Sequence, residues 1–281
     1  MNKLNYLNLG CGNKYHSQWV NIDMVSNSKD VIAVNLLEGI PYPDNSFDVI
    51  YHSQVLEHIP KEKAHAFLSE CYRVLKPNGI LRVVLPDLES IVSEYLRLLR
   101  ENIENPSLIS EANYDWIMLE LYDQTVRNST GGQMAAYLKR PFVPNEQYVY
   151  ERIGFVGKSI RERFLRNSDN QKSKIKLIEL NKINIRIFLK MTVKKFQNFV
   201  GRIMPRTEAK RIGDFRLGGE IHMWMYDRFS LSRLLLSCGF TNTSVKSPFE
   251  SDIPDWEVFE LDVKDNMVYD PASLFMEARK I

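Results

Sequence analysis

Tyr6-Leu7-Asn8-Leu9-Gly10-Cys11-Gly12 is the stretch on which the reading of the whole chain turns. It has the form of a short buried strand that stops abruptly in a Gly-x-Gly turn. Glycine accepts positive φ and lets another group approach the main chain closely. At the carboxyl end of a first parallel strand, such a turn is where open α/β sheets hold nucleotide-like ligands. Gly-x-Gly alone is weak, so the residues that follow must decide.

Trp19-Val20-Asn21-Ile22-Asp23 comes next, a second short apolar run closed by a carboxylate. An acidic group at the tip of a second strand can accept hydrogen bonds from both ribose hydroxyls. A dinucleotide dehydrogenase would need Gly-x-Gly-x-x-Gly opening a helix. Tyr15 stands where that third glycine belongs, and only Asn13 to Gln18 separate the turn from the next strand. A crossover helix with its loops takes roughly a dozen residues or more. No helix N-terminus for a pyrophosphate can be built there. A nucleoside ligand without phosphates fits better.

The next blocks extend the pattern. Val31 to Leu36 reads as a third β-rich run. Pro41 to Ser46 is a Pro/Asp/Asn turn that feeds a buried strand over Phe47 to Tyr51. Ala64, Phe67, Leu68, Cys71 and Leu75 share one face of a helix expected over 61–75. Lys76-Pro77-Asn78-Gly79 has the composition of a helix stop. Ile80 to Asp87 reads as a further strand, and 88–103 as a helix with Ile91, Tyr95, Leu98 and Leu99 inward.

Together these blocks resemble the class I S-adenosylmethionine-dependent methyltransferases, and most of all the type 11 subgroup. The marks are Leu-Gly-Cys-Gly at 9–12, Asn-Ile-Asp at 21–23, Pro-Asp-Asn-Ser-Phe-Asp at 43–48, Val-Leu-Glu-His at 55–58 and Arg-Val-Leu-Lys-Pro-Asn-Gly at 73–79. Gly219 to Asp227, the helix 230–237 with Cys238-Gly239-Phe240, Ile253 to Trp256 and Ser273 to Ala278 resemble a narrower branch associated with bacterial surface-polysaccharide assembly. The resemblance covers about 1–100 and 214–281. The third glycine of the type 11 pattern is absent, with Asn13 following the turn, and Asn35 stands where Asp is frequent.

The resemblance implies an α/β fold, a doubly wound, mostly parallel seven-stranded Rossmann-like sheet with its last strand antiparallel. It divides the chain into a cofactor-binding core, 1–103 with 214–281, and a basic, mainly helical insertion over 104–213. It implies S-adenosyl-L-methionine as cofactor, contacted by Leu9, Gly10, Cys11, Gly12 and Asp23. Asn35 and Leu36 are expected near adenine, unless they only end a strand. Ser53 and Gln54 would line the methionine side. His58, Asp87, Glu220 and His222 are the candidates for acceptor binding or for a base at neutral pH. Each has a structural alternative: loop packing for His58, the N-cap of the next helix for Asp87, a satisfied core position for His222. Period-two spacing would point Glu220 and His222 to one face, with Trp224 and Tyr226 continuing it.

Composition agrees with an enzyme able to bury a core, with 44% hydrophobic residues in 281. Cys11, Cys71 and Cys238 are odd in number and widely spaced, which fits a reduced chain and excludes a cysteine zinc site. His16, His52 and His65 lack ligand spacing, so no metal is expected. No room for a signal peptide precedes the first strand, and no apolar run approaches the roughly 18 residues of a membrane span. A cytoplasmic location is expected.

Charge is unevenly placed. Lys158 to Arg216 carries 17 Lys and Arg against five Asp and Glu. Within it Ile185, Leu189, Thr192, Phe196, Phe199 and Ile203 recur at helical spacing. Residues 182–211 are thus read in three ways: a peripheral contact with the inner face of a membrane, a cationic lid over a phosphorylated substrate, or a packed helix with a solvated face. Nucleic acid is not expected, because no base-stacking motif accompanies the charge. The acceptor is read as a small molecule or glycan bearing a hydroxyl; the alternative reading is a non-catalytic module on the same fold that binds the cofactor or a partner. Gly131-Gly132 and Pro141 to Pro144 should break the 104–213 region into short pieces, anchored by Tyr114, Trp116 and Tyr122.

Overall fold

The short apolar runs pair into one sheet. Residues 4–26, 28–175 and 207–281 are described by this computed structural model. Seven strands, β1 (Tyr6–Leu9), β2 (Val20–Asp23), β3 (Val31–Ala33), β4 (Phe47–Ser53), β5 (Leu75–Pro86), β6 (Thr241–Lys246) and β9 (Ser273–Arg279), are ordered β3-β2-β1-β4-β5-β9-β6. β1 to β5 are parallel, and β9 inserts antiparallel between β5 and β6. Two short strands, β7 (Val263–Lys264) and β8 (Met267–Val268), form a separate hairpin. Its turn residues Asp265 and Asn266 both have positive φ, as a tight hairpin matching strand twist requires. The order reverses beside β1, whose neighbours are β2 and β4, and the crevice outside the carboxyl ends of the strands opens at such a switch point.

Both faces of the sheet are covered, so its strands are near-continuously apolar. On one face Leu7, Leu9, Ile22, Ile50, Leu81 and Val83 pack on α1 (Lys61–Val74) and α7 (Arg228–Ser237). Ala64, Phe67, Leu68 and Cys71 of α1 are buried as their spacing predicts. On the other face Val49, Tyr51, Val84 and Phe275 meet a cluster of rings around Trp19. Trp19 lies edge-on to Tyr51, Trp256 and Phe259. These rings bury the start of β2 directly after the short 13–18 loop.

A cluster of charged side chains lies buried on this second face. Arg82 of β5 is fully buried, 2.7 Å from both Asp262 and Glu277. It also donates to the carbonyls of Ser247 and Glu250, and its guanidinium lies over the Trp256 ring. Tyr51 completes the cluster by donating to Asp262 at 2.6 Å.

Three local differences from expectation have physical causes. β3 stops at Ala33, because the Asn35 side chain accepts from Leu37 N–H and caps a 3-10 turn over Leu36–Glu38. Lys76 to Gly79 does not separate helix from strand. β5 already begins at Leu75 and takes them in, with Asn78 at φ +65 and Gly79 so crowded that a Cβ would lie 2.9 Å from the Asp48 carbonyl oxygen. Tyr122, expected as an anchor, is exposed, whereas Trp116 is fully buried and Tyr114 leans on Tyr95.

Asp87 caps α2 (Leu88–Glu104). α3 (Leu108–Val126), opened by a Ser107–Ser110 capping box, packs along α2 through Ile91, Leu98 and Ile117. α4 (Gly132–Leu138) and α5 (Glu146–Ile175) follow the two expected breaks. They build a small core of their own around Trp116, Tyr137, Val143 and Val149. α5 is not a short piece, but it is kinked at Gly154 (φ 50, ψ −133). A Cβ there would sit 2.3 Å from the Val268 carbonyl oxygen, so only glycine lets the 268–271 loop approach. α6 (Glu208–Arg216) leads back to the tail. Most of the basic stretch 182–211, with its 185–203 seam, lies outside the described residues. Among the described residues no helix is long and apolar enough to cross a membrane.

Candidate functional site

The turn after β1 is built by two glycines with different tasks. Gly10 has φ +63, and a Cβ on it would lie 2.4 Å from a methyl of Val55. It thus lets the loop after β4 close against the loop after β1. Gly12 has φ +51, and a Cβ there would meet nothing within 4 Å, so its main chain is open to an approaching ligand. Cys11 N–H donates to the Ile22 carbonyl, and Gly12 N–H donates to Asp23 Oδ2 at 2.8 Å. The turn and the β2 carboxylate are therefore one rigid unit. Burial pushes the Cys11 thiol up to about 11, which keeps it protonated and unreactive.

Two buried asparagines that sequence reading passed over pin the loop replacing the first helix. Asn8 Nδ2 donates to the Lys14 carbonyl, and Asn21 Nδ2 donates to the carbonyls of His16 and Trp19. Their signal was a polar residue in the middle of each apolar strand. Lys14, held in this loop, lies 3.8 Å from Asp270 and over the Tyr269 ring. Burial raises the Asp270 carboxyl despite that cation.

The remaining expected cofactor contacts are placed less simply. Leu9 is buried at the end of β1 and Leu36 is half-buried. Asn35 spends its carboxamide on Leu37 N–H and Glu38, so it acts as a cap and not as a free adenine-facing amide. Ser53 ends β4. Gln54, at φ +57, donates its main-chain N–H to Val84 and its side chain to Ser273. It thus reaches across the top of β5 and away from the turn.

Of the four candidates for chemistry, the structure brings two together. His58 and His222 stand ring to ring, centroids 4.7 Å apart and perpendicular. His58 Nδ1 is 3.0 Å from the Ile221 carbonyl oxygen. His222 is fixed through its main chain, whose N–H donates to Gln124. Burial lowers both, His222 to about 3, with the neighbouring His58 and Arg127 adding to the effect. Both rings are neutral at physiological pH. Asp87 is the N-cap of α2, accepting from Glu89 N–H. The same-face expectation for Glu220 and His222 fails, because 219–225 is no strand. The Glu220 carboxylate accepts from Thr130 and Gly131 and pairs with Arg127. Trp224 and Tyr226 part likewise: Trp224 is exposed under the Lys61 ammonium, and Tyr226 is buried.

Glu57 was missed. It sits in the 3-10 turn Leu56–His58 directly after β4, 1% exposed. Neither carboxylate oxygen has a hydrogen-bond partner among the described residues. Burial raises it to about 8, with Asp270 reinforcing the shift and Lys14 opposing it. Tyr226, its hydroxyl also buried and unpaired, is pushed up to about 12 by burial and by Glu57. The sequence signal was a carboxylate between Leu56 and Ile59, in an otherwise apolar run. Met223 N–H donates to the Glu57 carbonyl at 2.7 Å, which ties the tail to this turn. Beside His222 a groove of about 370 Å³ opens between Leu88, Thr125, Arg216, Trp224 and Met225, a size suited to a small molecule.

The chain is similar to several known proteins. A relative named "Phosphoethanolamine N-methyltransferase", from Plasmodium falciparum, is 22% identical over 158 residues, 53% of this chain and 56% of its own. A Mycolicibacterium smegmatis protein, named a probable S-adenosylmethionine-dependent methyltransferase, is 43% identical over 58 residues, 21% of either chain. The chain thus spans less than two thirds of the length of these relatives. A crystal structure of a SAM-dependent methyltransferase from Thermotoga maritima aligns over 100% of this chain and 84% of its own, at 12% identity and a TM-score of 0.40. Residues 7–83, which build β1 to β4 and most of β5, match the family described as "Methyltransferase domain".

Proposed function

We propose that this chain transfers the methyl group of S-adenosylmethionine to a hydroxyl of a small, sugar-type acceptor. The observation that carries it is the Gly12–Asp23 unit. A main chain open to a ligand is joined by a 2.8 Å hydrogen bond to a half-buried carboxylate at the tip of β2. These residues fit an adenosyl thioether: Gly10 and Gly12 cradle it, and Asp23 accepts from its ribose hydroxyls. Lys14 and Asp270, held close together beside this turn, offer opposite charges to the two ends of a zwitterionic amino acid.

The bound donor supplies a sulfonium, which is already a good leaving group. The protein's task is to hold the acceptor in line with it, a contribution of about 7–11 kcal/mol at best. In the transfer the acceptor oxygen gains the methyl group, its proton leaves, and the sulfonium becomes a neutral thioether. The groove lined by His222 is read as the acceptor site, because His222 stands ring to ring with His58. Trp224 offers a face on which a sugar ring can stack. A place in surface-glycan synthesis, in the cytoplasm or against the inner face of a membrane, rests on the tail block of residues 219–278 and on the basic stretch 182–211.

Isothermal titration with S-adenosylhomocysteine tests the donor site. Asp23→Ala should weaken binding about 10- to 150-fold, the equivalent of roughly 1.5–3 kcal/mol for hydrogen bonds to a charged group. Unchanged affinity would overturn the reading. A panel of glycans and small alcohols, assayed for methyl uptake with wild type and His222→Ala, tests the acceptor. Flotation with anionic liposomes, with and without residues 180–205, tests the membrane contact.

A further inference from the structure

We infer that Glu57, His58 and His222 form a binding site for one divalent transition-metal ion of the zinc class. One ligand atom from each residue lies within 4.8 Å of the other two. Around an ion with bonds of about 2.0–2.2 Å, such atoms would be roughly 3–3.5 Å apart, so small side-chain rotations close the site. The main chain on both sides is already fixed: Met223 N–H is bonded to the Glu57 carbonyl, and His222 N–H to Gln124.

Two independent observations point to a ligand. The first is Glu57. A carboxylate with no partner for either oxygen is costly to bury, and here a ligand atom of each of two imidazoles lies within 4.8 Å of it. The second is the hydrogen bond of His58. The Ile221 carbonyl can only accept, so Nδ1 carries the proton and Nε2 keeps its lone pair. This is the arrangement by which metal-bound histidines are oriented from behind. Two imidazoles with one carboxylate suit zinc-like ions and are poor for magnesium, which takes oxygen ligands. Three protein ligands leave further positions open, and one of the three, His222, lines the groove. The site itself does not depend on methyl transfer. Its use does: a cation here would polarise the acceptor hydroxyl and ease loss of its proton.

The sequence spacing could not have shown this site, because His222 comes from the tail and only Glu57 and His58 are neighbours. The expectation of no metal rested on local spacing alone.

The test uses the full chain, stripped with EDTA and titrated with ZnCl2 and CoCl2. Wild type should bind one equivalent, gain visible cobalt absorption and melt at a higher temperature with Zn2+, since an ion that binds only the folded state stabilises it. MgCl2 should do none of these. Glu57→Gln and His222→Ala should each weaken Zn2+ binding at least tenfold and lose the thermal gain. His65→Ala, on the exposed face of α1, should bind as wild type. Titration of every variant with S-adenosylhomocysteine shows that it is folded, and separates failure of this site from failure of the donor site. Should His222→Ala not fold, His58→Gln takes its place. Binding well below one equivalent, or binding unchanged in the folded Glu57 and histidine variants, would overturn the proposal, as would a response to Mg2+ alone.

Discussion

Arg82 and Glu57 are both ionisable side chains removed from water, 0% and 1% exposed. Their surroundings differ completely. Arg82 meets two carboxylates and two carbonyls, and one of those carboxylates also receives the Tyr51 hydroxyl. Glu57 meets no hydrogen-bond donor at all among the described residues. Buried polar groups in folded proteins are nearly always paired, and the exceptions collect at functional sites. The paired cluster therefore belongs to the architecture, and the unpaired one is where we place the proposed chemistry.

The largest expected effect comes from breaking the paired cluster. Arg82→Met leaves Asp262 and Glu277 buried without a cation and should cost about 3–5 kcal/mol. The urea midpoint should fall steeply and the yield of soluble protein with it. Adding Asp262→Asn and Glu277→Gln to that variant should recover much of the loss, since the penalty lies in the stranded charges. A small effect of Arg82→Met would mean that the cluster is dispensable, and the contrast would fail.

The unpaired cluster should respond in the opposite direction. In EDTA-stripped protein, Glu57→Leu replaces an orphan carboxylate by an apolar side chain and should stabilise by about 1–2 kcal/mol. At about 2–4 °C per kcal/mol, calorimetry should show a melting point raised by a few degrees, with methyl transfer lost. A lower melting point would show that Glu57 holds the fold after all.

Glu70 is the intermediate case, paired but at the surface. Hydrogen bonds from Arg73 hold its carboxyl down to about 2 against an ordinary 4.5. A carboxyl depressed in the folded state stabilises above its unfolded value and loses that contribution as pH falls through the folded one. The melting-point advantage of wild type over Glu70→Gln should therefore be complete above pH 4.5 and vanish near pH 2. The gap should be small, because solvent screens the pair. A gap independent of pH would assign the difference to packing.

Most of the proposed donor site was legible in the sequence. Gly10 and Gly12 betray themselves because the backbone there takes a conformation other residues resist. Asp23 follows because a carboxylate closing an apolar strand has few other uses. The absent first helix could be read from the six residues 13–18. What stayed hidden depended on three-dimensional meeting. Glu57 looked like one more charge in a loop until burial took away its water. The period-two reading of Glu220 and His222 assumed a strand where Arg127, Thr130 and Gly131 instead draw the Glu220 carboxylate aside. Asn35 was expected to face a ligand because its capping bond is local and leaves no trace in composition.

The counter-charges of Arg82 arrive late in the chain. Asp262 and Glu277 lie far beyond residues 7–83, and β9, which carries Glu277, must slot beside β5 before the guanidinium is neutralised. An excised fragment ending after β5 would carry a naked cation into its own interior and expose one long edge of the sheet. The segment that other proteins share is thus no autonomous unit here. Its core closes only once β9 has paired with β5, which makes the strand over Ser273–Arg279 as indispensable as the first.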